Sequence, residues 1–492
     1  MSQQLNDQEI VRRQKMEELR ENGIDPFGQR FERSDYSNAL HEKYKDYDKE
    51  SLEEKHFTAC VAGRIMSKRR KGRAGFMHIQ DKFGLIQIYI RSDEVSELEY
   101  TMYKRCDMGD IIGISGELML TNTGEVTIRA KKFTHLSKAL RPLPEKFHGL
   151  QDREEARRHR YVDLIMNENS KRIAFMRPQI IRSIQKFMDG RGYVEVETPI
   201  LQPILGGANA RPFVTHYNAL DSNFYLRIAT ELALKKLIVG GMEAVYEIGR
   251  LFRNEGMDST HNPEFTTMEA YLAYSDLDGM MELAESLLKF LTADVLHNTQ
   301  VVYQGETLDF AKPFKKISMV DAVKEVTGID FLDKDLDECL ALAKEHNIEV
   351  PSHEKTYGHI LNLFFEKYVE ETLVQPTIVY GHPLEISPLA KKAEDPRFTQ
   401  RFELFICKHE YANAFSELND PIDQRQRFEN QLKEKDLGND EACELDEEYI
   451  EALEYGLAPT GGIGIGIDRL VMLLLDIDSI RDAVLFPQMK SK

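Results

Sequence analysis

The stretch Phe-Arg-Asn-Glu-Gly-Met-Asp-Ser-Thr-His-Asn-Pro-Glu-Phe, residues 252–265, decides the fold. It joins a Phe-Arg-x-Glu string, through a short loop, to a His-Asn-Pro-Glu-Phe string. Alone, each string is equally typical of a surface ion pair or an ordinary loop. Two further segments lie around it in order: a predicted helix and strand over 172–200, and Gly-Ile-Gly-Ile-Gly-Ile-Asp-Arg over 462–469. The order and spacing of the three segments together are specific.

The composition is typical of a large globular protein. A length of 492 residues suggests two to four domains, and a hydrophobic share of 42% is enough for real cores. The 5 cysteines contain no CxxC pair, which argues against a disulfide scaffold or a thiolate zinc site and favours a reducing compartment. The first residues are polar and acidic and no apolar run reaches membrane-spanning length, so we expect no signal peptide and no membrane partner.

The net charge is unevenly divided along the chain. The whole chain carries −19, which by itself argues against a nucleic-acid partner. Residues 1–150, however, carry +2, and subtracting this from −19 leaves −21 for the remaining residues. A basic run over 64–73 lies in the first part. Such asymmetry indicates different ligands for the two parts, although a solvated charge run is the plainer interpretation.

The residue patterns predict two domains. A helix over 4–22 is followed by strands over 58–64, 74–91, 111–118 and 125–130, which indicate a small antiparallel barrel or sandwich. Arg-Pro-Leu-Pro at 141–144 breaks regular structure. We therefore predict domains at 1–145 and 146–492, the second an α+β body with a helical insertion at about 315–375.

The three segments resemble motifs 1, 2 and 3 of the class II aminoacyl-tRNA synthetases. Further strings at 206–208, 230–232, 268–271 and 413–420 are similar to those of the lysine-specific members. From about residue 5 to 489 the chain thus resembles the bacterial class II lysyl-tRNA synthetases, of subclass IIb. The resemblance implies a class II antiparallel sheet with flanking helices and an N-terminal OB-fold β-barrel that binds the anticodon.

The resemblance also implies an activity and its partners. The expected reaction activates L-lysine with ATP to lysyl-adenylate and transfers it to the 3′ end of tRNA(Lys), in a cytoplasmic homodimer. A carboxylate is already a nucleophile at neutral pH, so the chemistry needs alignment and phosphate neutralisation rather than a strong base. The residues implied as catalytic are Arg253 and Arg469.

The resemblance assigns the ATP site to motifs 2 and 3 and to the string Arg-Phe-Glu-Leu-Phe-Ile-Cys-Lys-His-Glu at 401–410. Arg253 would bridge the substrate carboxylate and the α-phosphate, as a rigid guanidinium suits that position. The residues implied to bind ATP are Arg253, Glu255, His261, Asn262, Phe265, Glu403 and Arg469. Glu403 and Glu410 would hold Mg²⁺, but seven residues apart on one strand they would face opposite sides unless the strand bends.

A lysine substrate brings two ammonium groups, so its pocket needs carboxylates. The residues implied to bind lysine are Gly207, Ala208, Glu231, Glu269, Tyr271, Asn413, Phe415 and Glu417. The resemblance assigns Glu231 and Glu269 to the α-amino group, and Glu417 and Tyr271 to the side-chain ammonium. Unpaired buried carboxylates would penalise uncharged substrates.

In the basic N-terminal part, the residues implied to read the anticodon are Arg69, Phe76, Gln87 and Glu125. Phe76 would stack on a base, since single-stranded bases are recognised by stacking and edge hydrogen bonds. The alternative for Phe76 is a place in the barrel core.

Two other functions stay open for the whole chain. One is an aspartyl- or asparaginyl-type class IIb synthetase, and the other is a non-catalytic tRNA-binding relic of a synthetase. The intact charged residues of the three motifs argue against the relic.

Overall fold

The computed structural model describes residues 5–28, 30–144, 152–436 and 445–490. The chain divides into two compact units, Met1–Gln151 and Asp152–Lys492. The predicted boundary between residues 145 and 146 lies outside the described residues. Within the described ranges, no helix combines the length and apolarity needed to cross a bilayer.

The N-terminal unit is a five-stranded closed barrel with strand order β1-β2-β3-β5-β4 and four helices. Its elements in chain order are α1 (Asp7–Glu21), α2 (Ser37–Tyr44), α3 (Lys49–Lys55), β1 (Thr58–Lys71), β2 (Ala74–Gln80), β3 (Leu85–Arg91), α4 (Glu97–Arg105), β4 (Ile111–Leu120) and β5 (Val126–Ser137).

The barrel follows from period-two alternation along its strands. Ile86, Ile88 and Ile90 are buried in the barrel core, as their spacing predicts. All strand pairs are antiparallel except β3 with β5, which run parallel because α4 and β4 intervene between them. Helix α1 begins later than the predicted residue 4, because the Asn6 side chain accepts a hydrogen bond from the Glu9 amide and caps the helix there.

The C-terminal unit is built on an eight-stranded sheet of order β14-β15-β16-β17-β18-β11-β10-β6. Its elements are α5 (Arg153–Arg158), α6 (Arg160–Met166), α7 (Glu168–Gly190), β6 (Val194–Glu195), β7 (Leu201–Gln202), β8 (Val214–Tyr217), β9 (Ser222–Leu226), α8 (Glu231–Val239), β10 (Ala244–Phe252), β11 (Glu264–Ala273), α9 (Leu277–Leu296), β12 (Gln300–Tyr303), β13 (Glu306–Asp309), β14 (Lys315–Ser318), α10 (Met319–Thr327), α11 (Leu336–Glu345), α12 (Tyr357–Tyr368), a 3₁₀ turn (Glu370–Thr372), β15 (Thr377–Tyr380), β16 (Arg401–Ile406), β17 (His409–Ser416), α13 (Pro421–Asp436), α14 (Glu447–Glu454), β18 (Thr460–Gly466), α15 (Ile467–Leu475) and α16 (Ile480–Ala483).

The large sheet has an apolar face and a polar face. Helices α7, α9 and α15 pack on the apolar face and form the main core with it, through residues such as Ile184, Leu287 and Leu470. Six of the eight strands are joined by antiparallel pairings, and only the outer pairs β14–β15 and β10–β6 are parallel. The predicted α+β class is therefore confirmed.

Two stretches of the C-terminal unit differ from the sequence prediction in detail. The strand predicted from residue 193 to 201 is reduced to β6 and β7, because Pro199 lies between them and cannot donate to a ladder. The predicted helical insertion contains α10, α11 and α12, whose core includes Phe364 and extends to Val379 of β15 and Phe405 of β16. Its first four residues instead form β14, which pairs with β15.

Candidate active site

The alternation of side chains along the central strands separates core residues from candidate site residues. On β11, Met268 and Ala270 join the main core, so Glu269 and Tyr271 face the opposite side. On β17, Ala412 and Ala414 face the core, which places Asn413 and Phe415 on the polar face.

Strand β18 continues the same alternation. Ile463 and Ile465 are core residues, while Gly462, Gly464 and Gly466 fall on the polar face. Gly464 and Gly466 leave this face open, since a Cβ at either residue would meet nothing closer than 3.7 Å.

A cavity of about 380 Å³ lies on the polar face. It gathers most of the predicted site residues, which come from five separate stretches of the chain. Those that line it are Gly207, Ala208, Glu231, Arg253, Glu255, His261, Asn262, Phe265, Glu269, Tyr271, Glu410, Asn413, Phe415 and Arg469. Of the predicted set for ATP, metal and lysine, Glu403 and Glu417 do not line this cavity.

One end of the cavity carries the cations. The Arg253 guanidinium lies 5.2 Å from the centre of the Phe265 ring, and its Nε is buried without a hydrogen-bond partner among the described residues. Arg469 donates from Nη1 to the Glu410 carbonyl oxygen at 2.5 Å. Buried arginine donors normally have partners, so this end is suited to an anionic ligand.

Asp468 anchors the helix that carries Arg469. Its carboxylate accepts a hydrogen bond from the Thr266 amide at 2.7 Å and forms an ion pair with Arg177 of α7 at 2.5 Å. Because both contacts are buried, the first turn of α15 is held against β11 and α7, and Arg469 is directed to the cavity.

His261 lies at the exposed mouth of the cavity, in the loop between β10 and β11. Its Nδ1 is 2.8 Å from Asp258. Although partial burial raises the pKa of Asp258, hydrogen bonds from His261 and Thr260 hold that pKa below its ordinary value. The loop is therefore tied to itself by Asp258, with His261 presented to solvent.

Glu403 and Glu410 lie on two neighbouring strands rather than on one. β16 and β17 form a hairpin whose two-residue turn, Cys407-Lys408, has positive φ at both positions. On β16, just before this turn, the strand register shifts between Leu404 and Phe405. The turn and the bulge resolve the problem of the seven-residue spacing, because both carboxylates now line a second cavity of about 410 Å³.

The two carboxylates interact electrostatically. Burial and the charge of Glu403 raise the pKa of Glu410, although Arg469, Arg401 and Arg253 oppose the shift. Arg401 also donates to Glu403 at 2.5 Å and to Asn413 at 2.9 Å. Sequence reasoning did not select Arg401, although its place two residues before Glu403 was a usable signal.

The other end of the cavity is acidic and buried. Glu231 and Glu269 are each 8% exposed. Burial and the charge of Glu231 raise the pKa of Glu269 to about 7. Its oxygens accept hydrogen bonds from the Thr230 amide at 3.3 Å and the Tyr271 hydroxyl at 3.2 Å. Such a site favours a cationic ligand.

Glu417 lies behind the acidic end and is 1% exposed. A Cβ at residue 462 would fall 2.0 Å from its Oε1 and 2.6 Å from the Tyr271 ring. Gly462 therefore makes room for Glu417 and Tyr271.

Sequence reasoning also missed Lys235. It lies on α8, is fully buried, and forms ion pairs with both Glu231 and Glu417. Burial alone lowers the pKa of its ammonium group, but Glu231 and Glu417 outweigh burial and raise that pKa. The four-residue spacing from Glu231 on a predicted helix was the available signal.

Gly207 borders the same end of the cavity, with a φ of +91°. A Cβ there would also lie 3.0 Å from the Ala229 Cβ. Both observations explain why this position needs glycine.

The N-terminal barrel brings the predicted anticodon residues to one face, where Arg69 and Phe76 are exposed but Gln87 is buried. Phe76 is 36% exposed, so it is a surface residue rather than part of the barrel core. Strand pairing places it between Arg69 and Tyr89, and its ring centre lies 4.9 Å from that of Tyr89.

A hydrogen-bonded row lies beside Phe76. Gln87 donates to Glu125 at 2.6 Å and accepts from Thr127 at 2.9 Å. His78 contacts Glu125 at 2.8 Å and Ser67 at 2.8 Å. Sequence reasoning missed His78 and Tyr89, although both alternate with core residues on strands where Phe76 and Gln87 were chosen.

Each of the two compact units matches a known protein family. Residues 152–490 match the family described as tRNA synthetases class II (D, K and N), and residues 59–136 match an OB-fold nucleic acid binding domain. The predicted synthetase body and OB-fold are thereby confirmed.

Full-length relatives are also similar. A lysine--tRNA ligase of Enterococcus faecalis is 59% identical over 488 residues, which cover 99% of this chain and 98% of the relative. A lysine--tRNA ligase of Staphylococcus aureus is 59% identical over 496 residues and is covered completely, as is this chain. The chain therefore belongs to the class II tRNA synthetases of the D, K and N group, with an OB-fold nucleic acid binding domain in its N-terminal unit.

Proposed function

We propose that this chain is a lysine--tRNA ligase, which activates L-lysine with ATP and transfers it to tRNA(Lys). The observation that carries the proposal is one cavity with an arginine-rich end and a buried acidic end. Glu231 and Glu269 at the acidic end complement ammonium groups, whereas Arg253 and Arg469 complement phosphate and carboxylate groups.

The first step joins the lysine carboxylate to the α-phosphate of ATP and expels pyrophosphate. The carboxylate is ionised at neutral pH, so no base is needed. In our proposal Arg253 lies between the two reacting groups and neutralises charge that develops at the phosphate. Phe265 supports the adenine ring, Glu255 accepts a hydrogen bond from the adenine amino group, and Asn262 and His261 contact the nucleotide.

The acidic end would hold the amino acid. Glu231 and Glu269, with Gly207 and Ala208, would bind the α-amino end. Tyr271 and Glu417 would bind the side-chain ammonium, and Phe415 would flank the aliphatic stem beside Asn413. The buried cation behind this end, Lys235, is already paired with Glu231 and Glu417. An aspartate side chain would therefore meet carboxylates, and an asparagine side chain would bring them no positive charge, which makes those substrates the weaker candidates.

Mg²⁺ is part of the proposal as a partner of ATP. Glu403 and Glu410 fit it, because both present hard oxygen ligands to the same cavity, and burial and the charge of Glu403 raise the pKa of Glu410. Among the described residues there is no cluster of three or more metal-ligating side chains. This suits Mg²⁺, which commonly takes one or two carboxylates and completes its shell with phosphate and water. When bound, the ion would neutralise phosphate charge.

The second step transfers the lysyl group to a terminal ribose hydroxyl of tRNA, which attacks the acyl carbon and displaces AMP. We propose that the barrel face reads the anticodon: Phe76 would stack on one base, while Arg69, Gln87 and Glu125 would contact base edges. The exposure of Phe76 and its place beside the Gln87–Glu125 hydrogen bond support this role.

We further propose that the enzyme acts as a homodimer in the cytoplasm, where tRNA is charged. Exposed apolar side chains of the motif 1 region, Phe175, Val194 and Ile200, support a second copy as partner. Light scattering that returned the mass of one chain at working concentrations would contradict the dimer.

Amino-acid-dependent exchange of pyrophosphate into ATP tests the function. We expect exchange with lysine and far less with aspartate or asparagine. Exchange with aspartate or asparagine but not with lysine would assign the chain to another member of the D, K and N group. No exchange with any of the three would favour the non-catalytic relic.

A further inference from the structure

Lys235 is a buried cation surrounded by the acidic residues of the cavity. Its side chain is fully buried, and its ammonium group contacts Glu231 and Glu417. Three aromatic rings surround it, with centres 5.3 Å away for Phe415 and 6.0 Å away for both Tyr271 and Tyr449. Lys235 itself does not line the cavity.

Lys235 reaches two carboxylates because of its place on α8. Glu231 is the first residue of this helix and lies one turn before Lys235, on the same face. Glu417 comes from the chain just beyond β17, and its carboxylate meets the ammonium from the sheet side. One ammonium group therefore links the helix to the sheet beneath the cavity.

The charges around the acidic end balance only when Lys235 is counted. Glu231, Glu269 and Glu417 have a formal charge of −3 when ionised, and Lys235 reduces it to −2. The two ammonium groups of a lysine substrate match this remainder, and Arg253 at the other end can take the substrate carboxylate. Without Lys235 one buried carboxylate would have no countercharge, and such a group is strongly disfavoured.

We propose that Lys235 is a positioning residue that sets specificity: its ammonium group holds Glu231 and Glu417 in place as their countercharge, so that the cavity recognises an amino acid with two ammonium groups. This inference rests on the proposed function and deepens it. It assigns no contact between Lys235 and the substrate, since Lys235 acts through the two carboxylates.

The proposal separates the two substrates. Loss of the Lys235 ammonium group should weaken binding of lysine, because Glu231 and Glu417 belong to the acidic end. It should leave the KM for ATP nearly unchanged, because Arg253, Phe265 and Arg469 do not contact Lys235. Loss of a residue that only supports packing would change the KM for lysine and the KM for ATP together, or would change thermal stability alone.

Chemical rescue of Lys235→Ala tests the proposal. Alanine keeps the Cβ, so the atoms removed correspond to propylammonium. We expect the KM for lysine in pyrophosphate exchange to rise at least tenfold, and added propylammonium to recover a large part of this loss. Neither sodium chloride at equal ionic strength nor 1-propanol should do so, and propylammonium should not activate the wild-type enzyme.

Lys236→Ala is the matched control. Lys236 is the next residue on α8, but it is partly exposed and pairs with Asp446 and Glu448. We expect its KM for lysine to stay within about twofold of wild type, since surface pairs contribute little. If Lys235→Ala does not fold, Lys235→Met decides the matter, because it fills the space of the stem without charge and should also raise the KM for lysine tenfold.

Two results would overturn the proposal. One is an unchanged KM for lysine in folded Lys235→Ala or Lys235→Met, and the other is a raised KM in Lys235→Ala that propylammonium does not lower. Both results count only when the wild-type enzyme shows lysine-dependent pyrophosphate exchange in the same assay. A wild-type enzyme that does not exchange with lysine would instead overturn the proposed function.

Discussion

Arg253 has a buried Nε with no hydrogen-bond partner among the described residues, and its guanidinium faces the Phe265 ring. We predict that Arg253→Ala reduces lysine-dependent pyrophosphate exchange by at least about 10²-fold, a loss typical of removing one preorganised charge donor. Folding should persist, because the side chain has few partners to lose. Arg250→Ala is the control, since Arg250 on β10 is half-exposed and pairs with Glu264. Exchange at the wild-type rate in Arg253→Ala would show that the motif 2 assignment is wrong.

Glu269 predicts a pH dependence of lysine binding. Its pKa of about 7 lies above the ordinary value of 4.5, because of burial and the charge of Glu231. Between pH 4.5 and about pH 7, Glu269 therefore keeps its proton in the folded protein but not in the unfolded chain. The stability that this proton contributes is lost as the pH rises through 7. Bound lysine should favour the ionised Glu269 carboxylate, so binding should release a proton. The affinity of the protein for lysine should therefore increase from pH 6 to about pH 7 and then level off.

Calorimetry in buffers of different ionisation enthalpy measures both the affinity and the proton release. Glu269→Gln should bind lysine weakly and without this pH dependence. A wild-type affinity that is constant from pH 6 to pH 8, with no proton release, would contradict a neutral Glu269 in the free enzyme.

At the scale of one element, β18 places three glycines on the polar face while Ile463 and Ile465 fill the core. Gly462→Ala should destabilise the protein by about 1–3 kcal/mol, the usual cost of overpacking, because the new Cβ would meet Glu417 and Tyr271. Gly464→Ala is the matched control: its Cβ would meet nothing closer than 3.8 Å. Thermal unfolding measures the difference, and equal stability of the two variants would contradict the crowding at Gly462.

The β16–β17 hairpin shows what an element adds to a sequence motif. On a single strand, Glu403 and Glu410 would face opposite sides of the sheet. The Cys407-Lys408 turn folds the chain back between them, and both carboxylates reach the same cavity. The sequence did not indicate this turn, because positive φ at two consecutive residues usually requires Asn or Gly.

At the scale of the whole molecule, Phe76 and the cavity belong to different compact units. Phe76→Ala should therefore reduce tRNA charging by about 5- to 100-fold, the range expected for one lost base–aromatic stack, and leave pyrophosphate exchange unchanged. Phe83→Ala is the control, because Phe83 is an exposed phenylalanine at the turn between β2 and β3. Unchanged charging in Phe76→Ala would show that this ring does not stack on the anticodon.

The division of charge belongs to the same scale. The −19 of the chain is compatible with an RNA partner because residues 1–150 carry +2. The acidic remainder includes the carboxylates of the cavity. Net charge alone would have excluded a nucleic-acid partner, whereas the chain contains an OB-fold nucleic acid binding domain.

The sequence by itself predicted the α+β class, and through the family resemblance it predicted the OB-fold barrel and most residues of the cavity. Alternation along a strand and the order of three motifs are properties of the linear sequence, so they can be read from the chain. Only the tertiary structure decided that Lys235 lies between Glu231 and Glu417, that Gly462 makes room for Glu417, and that a turn aligns Glu403 with Glu410. The contacts of Glu417 with Lys235 and Gly462 join distant segments that meet only when the sheet and helices pack. The Cys407-Lys408 turn has a backbone conformation that its two residues do not predict.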